Sequence, residues 1–291
     1  MIRTDDASDT VLWEVEDGVA TLTLNRPETH NAQNLDMERR FQELLVRADD
    51  DPEVRAIIIT GVGRSFSVGG DATMAKDIIK AGGWAESIPH PMAQFGISVR
   101  KPVVAAINGA CAGGGLVWAI SCDVRFAARG AKLSAAFPRR GCVAERGLSW
   151  TLPRLVGVGH ASDLLLSGRT VTAEEAATMG LVNRAVAPED LMAVAREWAV
   201  DAATNCAPTA MATIKRQLQE DSHGNFASAL ARAADEVLIA TTGAGDFREG
   251  FMSFLERRPA TFSPLPPHPG RGGTFTVPAD LGSERDAIPN L

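Results

Sequence analysis

Pro102-Val103-Val104-Ala105-Ala106-Ile107, then Gly109-Ala110-Cys111-Ala112-Gly113-Gly114-Gly115 and an apolar run to Ile120, is the stretch whose reading decides the fold. A short, wholly apolar segment reads as a strand buried on both faces. The glycine-rich turn after it opens an apolar helix, so a helix N-terminus is set at the end of a strand. The same pattern stands upstream, where Ala56-Ile57-Ile58-Ile59-Thr60 precedes Ser65-Phe66-Ser67-Val68-Gly69-Gly70-Asp71. Another strand-like run, Val124 to Ala127, lies downstream. Repeated strand, turn and helix units predict right-handed ββα or βαβ crossovers and an α/β core.

Working outward, Val11 to Val15 and Val19 to Leu24 flank Glu16-Asp17-Gly18 and read as a hairpin, broken at Asn25-Arg26-Pro27. Met37, Phe41, Leu44, Leu45 and Ala48 fall at helical spacing, and Asp50-Asp51-Pro52 stops that helix. Segment 76–96, with Gly82-Gly83 and two prolines, reads as a loop beside a site. From about residue 159 the pattern turns helical. Thr172-Ala173-Glu174-Glu175 is a capping box for a short helix ending at Gly180. One more strand is expected at Val182 to Val186, then helices from Asp190 to Ala202, Thr209 to Gln219, Phe226 to Thr241 and Asp246 to Arg257. Seven of the last 33 residues are proline, which predicts a mostly irregular tail. The expected division is a core over 1–158, a helical region over 159–258 and a tail over 259–291.

With 45% hydrophobic and 22% charged residues the chain can bury a real core. A net charge of -7 argues against nucleic-acid binding, which needs a basic patch. Cys111, Cys122, Cys142 and Cys206 form no metal-type spacing, so neither a metal nor a disulfide framework is expected, and a reducing cytoplasm fits. The acidic first ten residues are wrong for a targeting peptide, and no apolar run reaches membrane-spanning length.

The chemistry rests on the two glycine turns. Glycine lets backbone approach a ligand closely, and the helix opening at Gly114 offers N–H groups at a positive dipole end. Two such donors converging on one carbonyl oxygen would stabilise an enolate or a tetrahedral oxyanion. Neither turn is a phosphate loop, since no G-x-x-x-x-G-K-[ST] occurs.

Taken together these pieces resemble the enoyl-CoA hydratase/isomerase (crotonase) superfamily. The resemblance runs through Leu24-Asn25-Arg26-Pro27, Ser65 to Asp71, Lys101 to Gly109, Gly113-Gly114-Gly115, Cys122-Asp123, Leu166-Ser167-Gly168-Arg169 and Phe254-Leu255-Glu256-Arg257-Arg258, covering about residues 11–260. It implies a crotonase-like spiral of ββα units, with a C-terminal helical region that builds a homotrimer or a dimer of trimers. It implies an acyl-CoA thioester as substrate, with coenzyme A part of that substrate and no separate cofactor. By position, Gly70 and Gly114 match the oxyanion-hole donors. Val68 and Asp71 lie on the loop that packs around the CoA adenine and ribose, and Arg257 matches a basic position that reaches CoA phosphate.

Hydratases of this family hold water with two glutamates, and neither is present: the matching places are Val117 and Ala135-Ala136-Phe137. Glu145, in Cys142-Val143-Ala144-Glu145-Arg146-Gly147, matches the single acid/base of several Δ3-Δ2-enoyl-CoA isomerases. Val117, Trp118 and Phe137 are expected to wall it with apolar surface and raise its pKa. Its plainer reading is an ion pair with Arg146 or Arg139. The expected activity is a Δ3 to Δ2 double-bond shift. The alternatives are hydration through Glu145 alone, a dehalogenase or thioesterase variant, and a CoA-binding scaffold without turnover. His30 and His90 read as solvent histidines, and Trp84 and Trp150 as packing anchors.

Overall fold

The hairpin forms through Asp17 (φ 52) and Gly18 (φ 75), the two left-handed residues that a tight turn matched to strand twist requires. Its arms, β2 (Val11–Glu16) and β3 (Val19–Leu24), pair antiparallel with Val11 opposite Leu24. The computed structural model describes residues 3–4, 9–80, 99–243 and 245–267. A two-residue strand, β1 (Arg3–Thr4), lies against β2. Beyond β3 the pairing is parallel, through β4 (Ala56–Gly61), β6 (Val103–Ile107), β8 (Val124–Ala128) and β11 (Arg184–Val186). These strands make a seven-stranded sheet in the order β1-β2-β3-β4-β6-β8-β11.

A second sheet of four short strands has the order β10-β9-β7-β5, with β5 (Ser65–Ser67), β7 (Ala110–Ala112), β9 (Lys132–Ser134) and β10 (Thr170–Thr172). The chain thus delivers one strand to each sheet and then a helix, three times over. After β4 and β5 comes α2 (Ala72–Lys80), after β6 and β7 comes α3 (Gly114–Ile120), and after β8 and β9 comes α4 (Leu148–Ser167). This is the expected ββα spiral.

The apolar runs follow from burial of the large sheet on both faces. Ile57, Ile59, Val103 and Ala105 join Phe41, Leu44, Leu45 and Ala48 of α1 (Leu35–Asp50) in one core. Ile58, Val104 and Ala106 point the other way, onto Leu191, Ala195, Ala199 and Ala203 of α6 (Leu191–Asn205). Spacing by four places those residues on one stripe of α6, and the alanines let it approach the sheet closely. Each such isoleucine contributes about 1.5–3 kcal/mol by leaving water.

The remaining α-helices among the described residues are α5 (Ala173–Thr178), α7 (Pro208–Asp221), α8 (Phe226–Gly243) and α9 (Gly245–Glu256). The N-cap half of the capping box forms, as Thr172 accepts a bond from the Glu175 N–H at 3.3 Å, while the Glu175 carboxylate pairs with Arg169 at 2.7 Å. The residue 158/159 division falls inside α4, beside a kink at Gly157 (φ 75, ψ 158), and strands β10 and β11 beyond it complete both sheets. The start of the tail is irregular but docked. Phe262 and Leu265 are buried, Arg55 donates to the Phe262 carbonyl at 2.8 Å, and Arg100 to the Pro266 carbonyl at 2.8 Å. Most of the 76–96 loop, from residue 81 onward, lies outside the described residues, and its first part belongs to α2. Among the described residues, no helix is long and apolar enough to cross a membrane, and no group of His, Cys, Asp or Glu could hold a metal.

Candidate active site

The two glycine turns meet at the ends of β5 and β7. Gly69 adopts φ 89, and a Cβ there would stand 2.9 Å from both the Ala112 carbonyl oxygen and the Gly114 nitrogen. A Cβ at Gly115 would overlap the Ser67 carbonyl oxygen. Only glycine allows these backbones so close together. Gln33 fastens the first turn from the other side, donating its N–H to the Gly69 carbonyl at 2.7 Å and accepting from the Asp71 N–H at 2.8 Å. The N–H of Gly70, between those bonds, has no acceptor among the described residues; nor has the N–H of Gly114, first residue of α3. Two N–H groups without acceptors thus stand on touching segments, one of them at a helix N-terminus.

Gln33 itself gave no signal in the sequence. Its side chain is fully buried against the Gly114 α-carbon, and its amide has no hydrogen-bond partner among the described residues. It is the strut between the two turns.

Val68 is partly exposed on this loop, and its N–H bonds to the His30 carbonyl at 3.3 Å. His30 is exposed in a left-handed turn, with Nδ1 3.2 Å from the Ser65 hydroxyl. Asp71 is buried with both carboxylate oxygens engaged: Oδ1 accepts from the Thr73 N–H at 2.8 Å and Oδ2 from Arg26 Nη1 at 2.8 Å. These bonds hold its carboxyl below the ordinary carboxylate range. Asp71 therefore ties the loop to the start of α2 and to the Arg26 turn. Arg257 is exposed just past α9, with φ 54.

Glu145 lies half-buried on the loop leading into α4. Burial pushes its carboxyl above the ordinary range; the Arg146 charge pulls it down and the Glu38 charge adds to the rise. The ion pair expected as its plainer reading does not form. Arg146 Nη2 instead donates to Glu38 Oε1 on α1 at 2.6 Å, and Arg139 donates to the Ser167 carbonyl at 3.1 Å. The carboxylate of Glu145 has no hydrogen-bond partner among the described residues. The Glu38–Arg146 pair was not anticipated, because a glutamate in the first turn of an amphipathic helix reads as solvated. That pair holds the Glu145 loop on α1, about one helical turn beyond Gln33.

The two places where a second and third carboxylate could have stood are apolar. Val117 is 3% exposed, and Ala135 and Phe137 are buried. Trp118 stacks on Phe41 with centroids 4.1 Å apart, so it braces α3 against α1. Trp150 lies between His223, stacked at 4.6 Å, and Arg154, whose guanidinium is 3.6 Å from its ring. It anchors α4 to the C-terminal helices. His90 and Trp84 lie outside the described residues.

Comparison with known proteins identifies the family. The enoyl-CoA hydratase/isomerase family model matches residues 14–264. The 1,2-epoxyphenylacetyl-CoA isomerase of Escherichia coli is 34% identical over 262 residues, covering 87% of this chain and 98% of that one. The crotonyl-CoA hydratase of Syntrophomonas wolfei is 33% identical over 261 residues, covering 88% and 98%. The crystal structure of an enoyl-CoA hydratase from Mycobacterium marinum superposes with a TM-score of 0.64 at 46% identity, covering 75% of this chain and all of that one. With its unpaired Gly70 and Gly114 donors on a ββα spiral, this chain belongs to the enoyl-CoA hydratase/isomerase family.

Proposed function

We propose that this enzyme shifts a double bond from Δ3 to Δ2 in an acyl-CoA thioester, with Glu145 as its single acid/base. The observation that carries the reading is the contrast between one half-buried carboxylate and the apolar Val117 and Ala135–Phe137 positions. The thioester oxygen would accept from the Gly70 and Gly114 N–H groups. Glu145 would take a proton from C2, leaving a dienolate whose negative charge rests on that oxygen, and return it to C4. Desolvation makes the carboxylate a stronger base than one in water, and the buried apolar side chains at Val117, Ala135 and Phe137 offer no carboxylate at those places to orient a nucleophilic water. Val68 and Asp71 would flank the CoA moiety, Asp71 by fixing the loop. Arg257 would reach CoA phosphate from a neighbouring copy in a homotrimer or a dimer of trimers.

Hydration of a 2-enoyl thioester is the second reading, favoured by the relatives named as hydratases. Separate incubation with trans-3-hexenoyl-CoA and crotonyl-CoA, followed by the absorbance of the conjugated enoyl thioester, distinguishes the two. A rise with the first and no fall with the second is the expected result. A fall with crotonyl-CoA would replace isomerisation by hydration. Glu145→Gln should lose nearly all turnover while still binding acyl-CoA, and undiminished turnover in that variant would remove Glu145 from the mechanism.

A further inference from the structure

We infer that Glu38 and Arg146 are a positioning pair for Glu145, fixing where its carboxylate stands and balancing the charge it feels. The inference rests on Glu145 being the base. The two side chains are 7% exposed each and meet at 2.6 Å across 108 residues of sequence. A buried ion pair is a weak source of stability, because desolvating both groups offsets their attraction. Its location therefore needs another reason, and the neighbouring residue supplies one.

Glu145 stands on a loop that runs from Gly141 (φ 68) to Gly147 (φ 72), both left-handed glycines. Arg146 itself adopts φ 52, a conformation that side chains other than glycine adopt only when their surroundings hold them. Its bond to Glu38 is such a hold. Glu38 lies in the first turn of α1, whose N-cap Asn34 directly follows Gln33, the residue that fastens Gly69 and Asp71. The pair thus fixes the base to the same element that fixes the oxyanion donors.

Charge gives the second half of the argument. Among the described residues, the charges that act on Glu145 are Arg146 from its own loop and Glu38 from α1. Arg139, on the turn before the loop, is directed to Ser167. The Arg146 charge beside the carboxylate stabilises its ionised form and weakens it as a base. The Glu38 carboxylate opposes that effect, so burial remains the dominant influence.

The test is the pH dependence of kcat and kcat/KM with trans-3-hexenoyl-CoA for the wild type, Glu145→Gln, Glu38→Gln and the double variant Glu38→Gln/Arg146→Met. In Glu38→Gln the amide oxygen still accepts from Arg146, so the fold should persist. The acid limb should then move down by about 0.5–1 pH unit, with kcat reduced roughly 3–10-fold and KM changed less than about twofold. Removing both charges should return the limb to the wild-type position or slightly above it. A pair that serves stability alone would lower the melting temperature and leave the limb in place. That outcome, with Glu145→Gln inactive, overturns the positioning role and leaves Glu145 as the base. An active Glu145→Gln overturns both.

Discussion

A methyl group at position 114 tests whether the spacing of the two donor turns is set by side-chain contact. In Gly114→Ala the new Cβ would overlap Gln33 Oε1, and Gln33 is fully buried, so its amide has nowhere open to go. Overpacking of this kind costs about 1–3 kcal/mol, and melting temperature changes by roughly 2–4 °C per kcal/mol in large domains. If α3 yields instead and moves about 1 Å from the Gly69–Asp71 turn, kcat should fall on the order of 100-fold, comparable with losing one oxyanion donor. Gln33→Ala removes the overlapping group, so Gly114→Ala/Gln33→Ala should recover most of both losses. Gly115→Ala provides the contrast. Its Cβ would overlap the Ser67 carbonyl, which is backbone, and no change at Gln33 can relieve it. Thermal melting and steady-state turnover of the four variants complete the cycle. Wild-type kcat in Gly114→Ala, or a loss as large in the double variant as in Gly115→Ala, would refute the reasoning.

Two further outcomes follow from the same structure. Asp71→Ala should destabilise the protein by about 1–3 kcal/mol at pH 7, through the lost cap on Thr73 and the lost bond to Arg26. Because the carboxyl of Asp71 is depressed in the folded state, its contribution is present above the unfolded carboxylate pKa and is lost as pH falls through the depressed value. The gap in urea midpoint between wild type and variant should accordingly be full at pH 7 and narrow below about pH 4; a gap constant with pH would show that the charge plays no part. At the C-terminal end, Phe251 is 58% and Phe254 79% exposed in the single chain, beside a groove of ≈ 850 Å³ that Ile214, Val237 and Phe247 also line. Aspartate at both positions should convert a three- or six-chain particle to monomers by light scattering with unchanged circular dichroism, whereas a wild-type monomer would contradict the expected assembly.

The parts of the fold legible in the sequence were those with enough length to carry a period. Ile57, Ile58 and Ile59 read as a doubly buried strand because α1 and α6 cover opposite faces, and every residue must then be apolar. The second sheet was not legible. Its strands are three residues each, too short for alternation, and Ser65-Phe66-Ser67 reads equally well as a turn. The helix over 148–167 was obscured by Pro153 and by Gly157, residues that usually end a helix and here sit at its interior and at its kink. In the site, the glycines were readable because close backbone approach demands them. Gln33 and Glu38 were not, since what marks them is a buried amide and a buried ion pair, and burial of a polar residue is a property of the partner elements.

The division of labour in the site explains how it can lack the paired glutamates and keep its fold. The two groups proposed as oxyanion donors are backbone N–H groups, held by Gln33, by the Gly69–Gly114 approach and by the start of α3, so replacing side chains at 117 or 135–137 should leave them in place. Proton transfer, in contrast, depends on whichever side chain reaches the thioester, and that choice can change one residue at a time. Val117 and Phe137 being buried and apolar also raises the cost of an ion in their vicinity, which favours a base that is partly exposed and tied to a counter-charged pair at its edge. Glu145, half-buried beside Glu38 and Arg146, is the carboxylate assigned to that position under the proposed reading. On these grounds the reaction type is set less by the hole, which any thioester enolate would use, than by the number of carboxylates that can stand within reach of it.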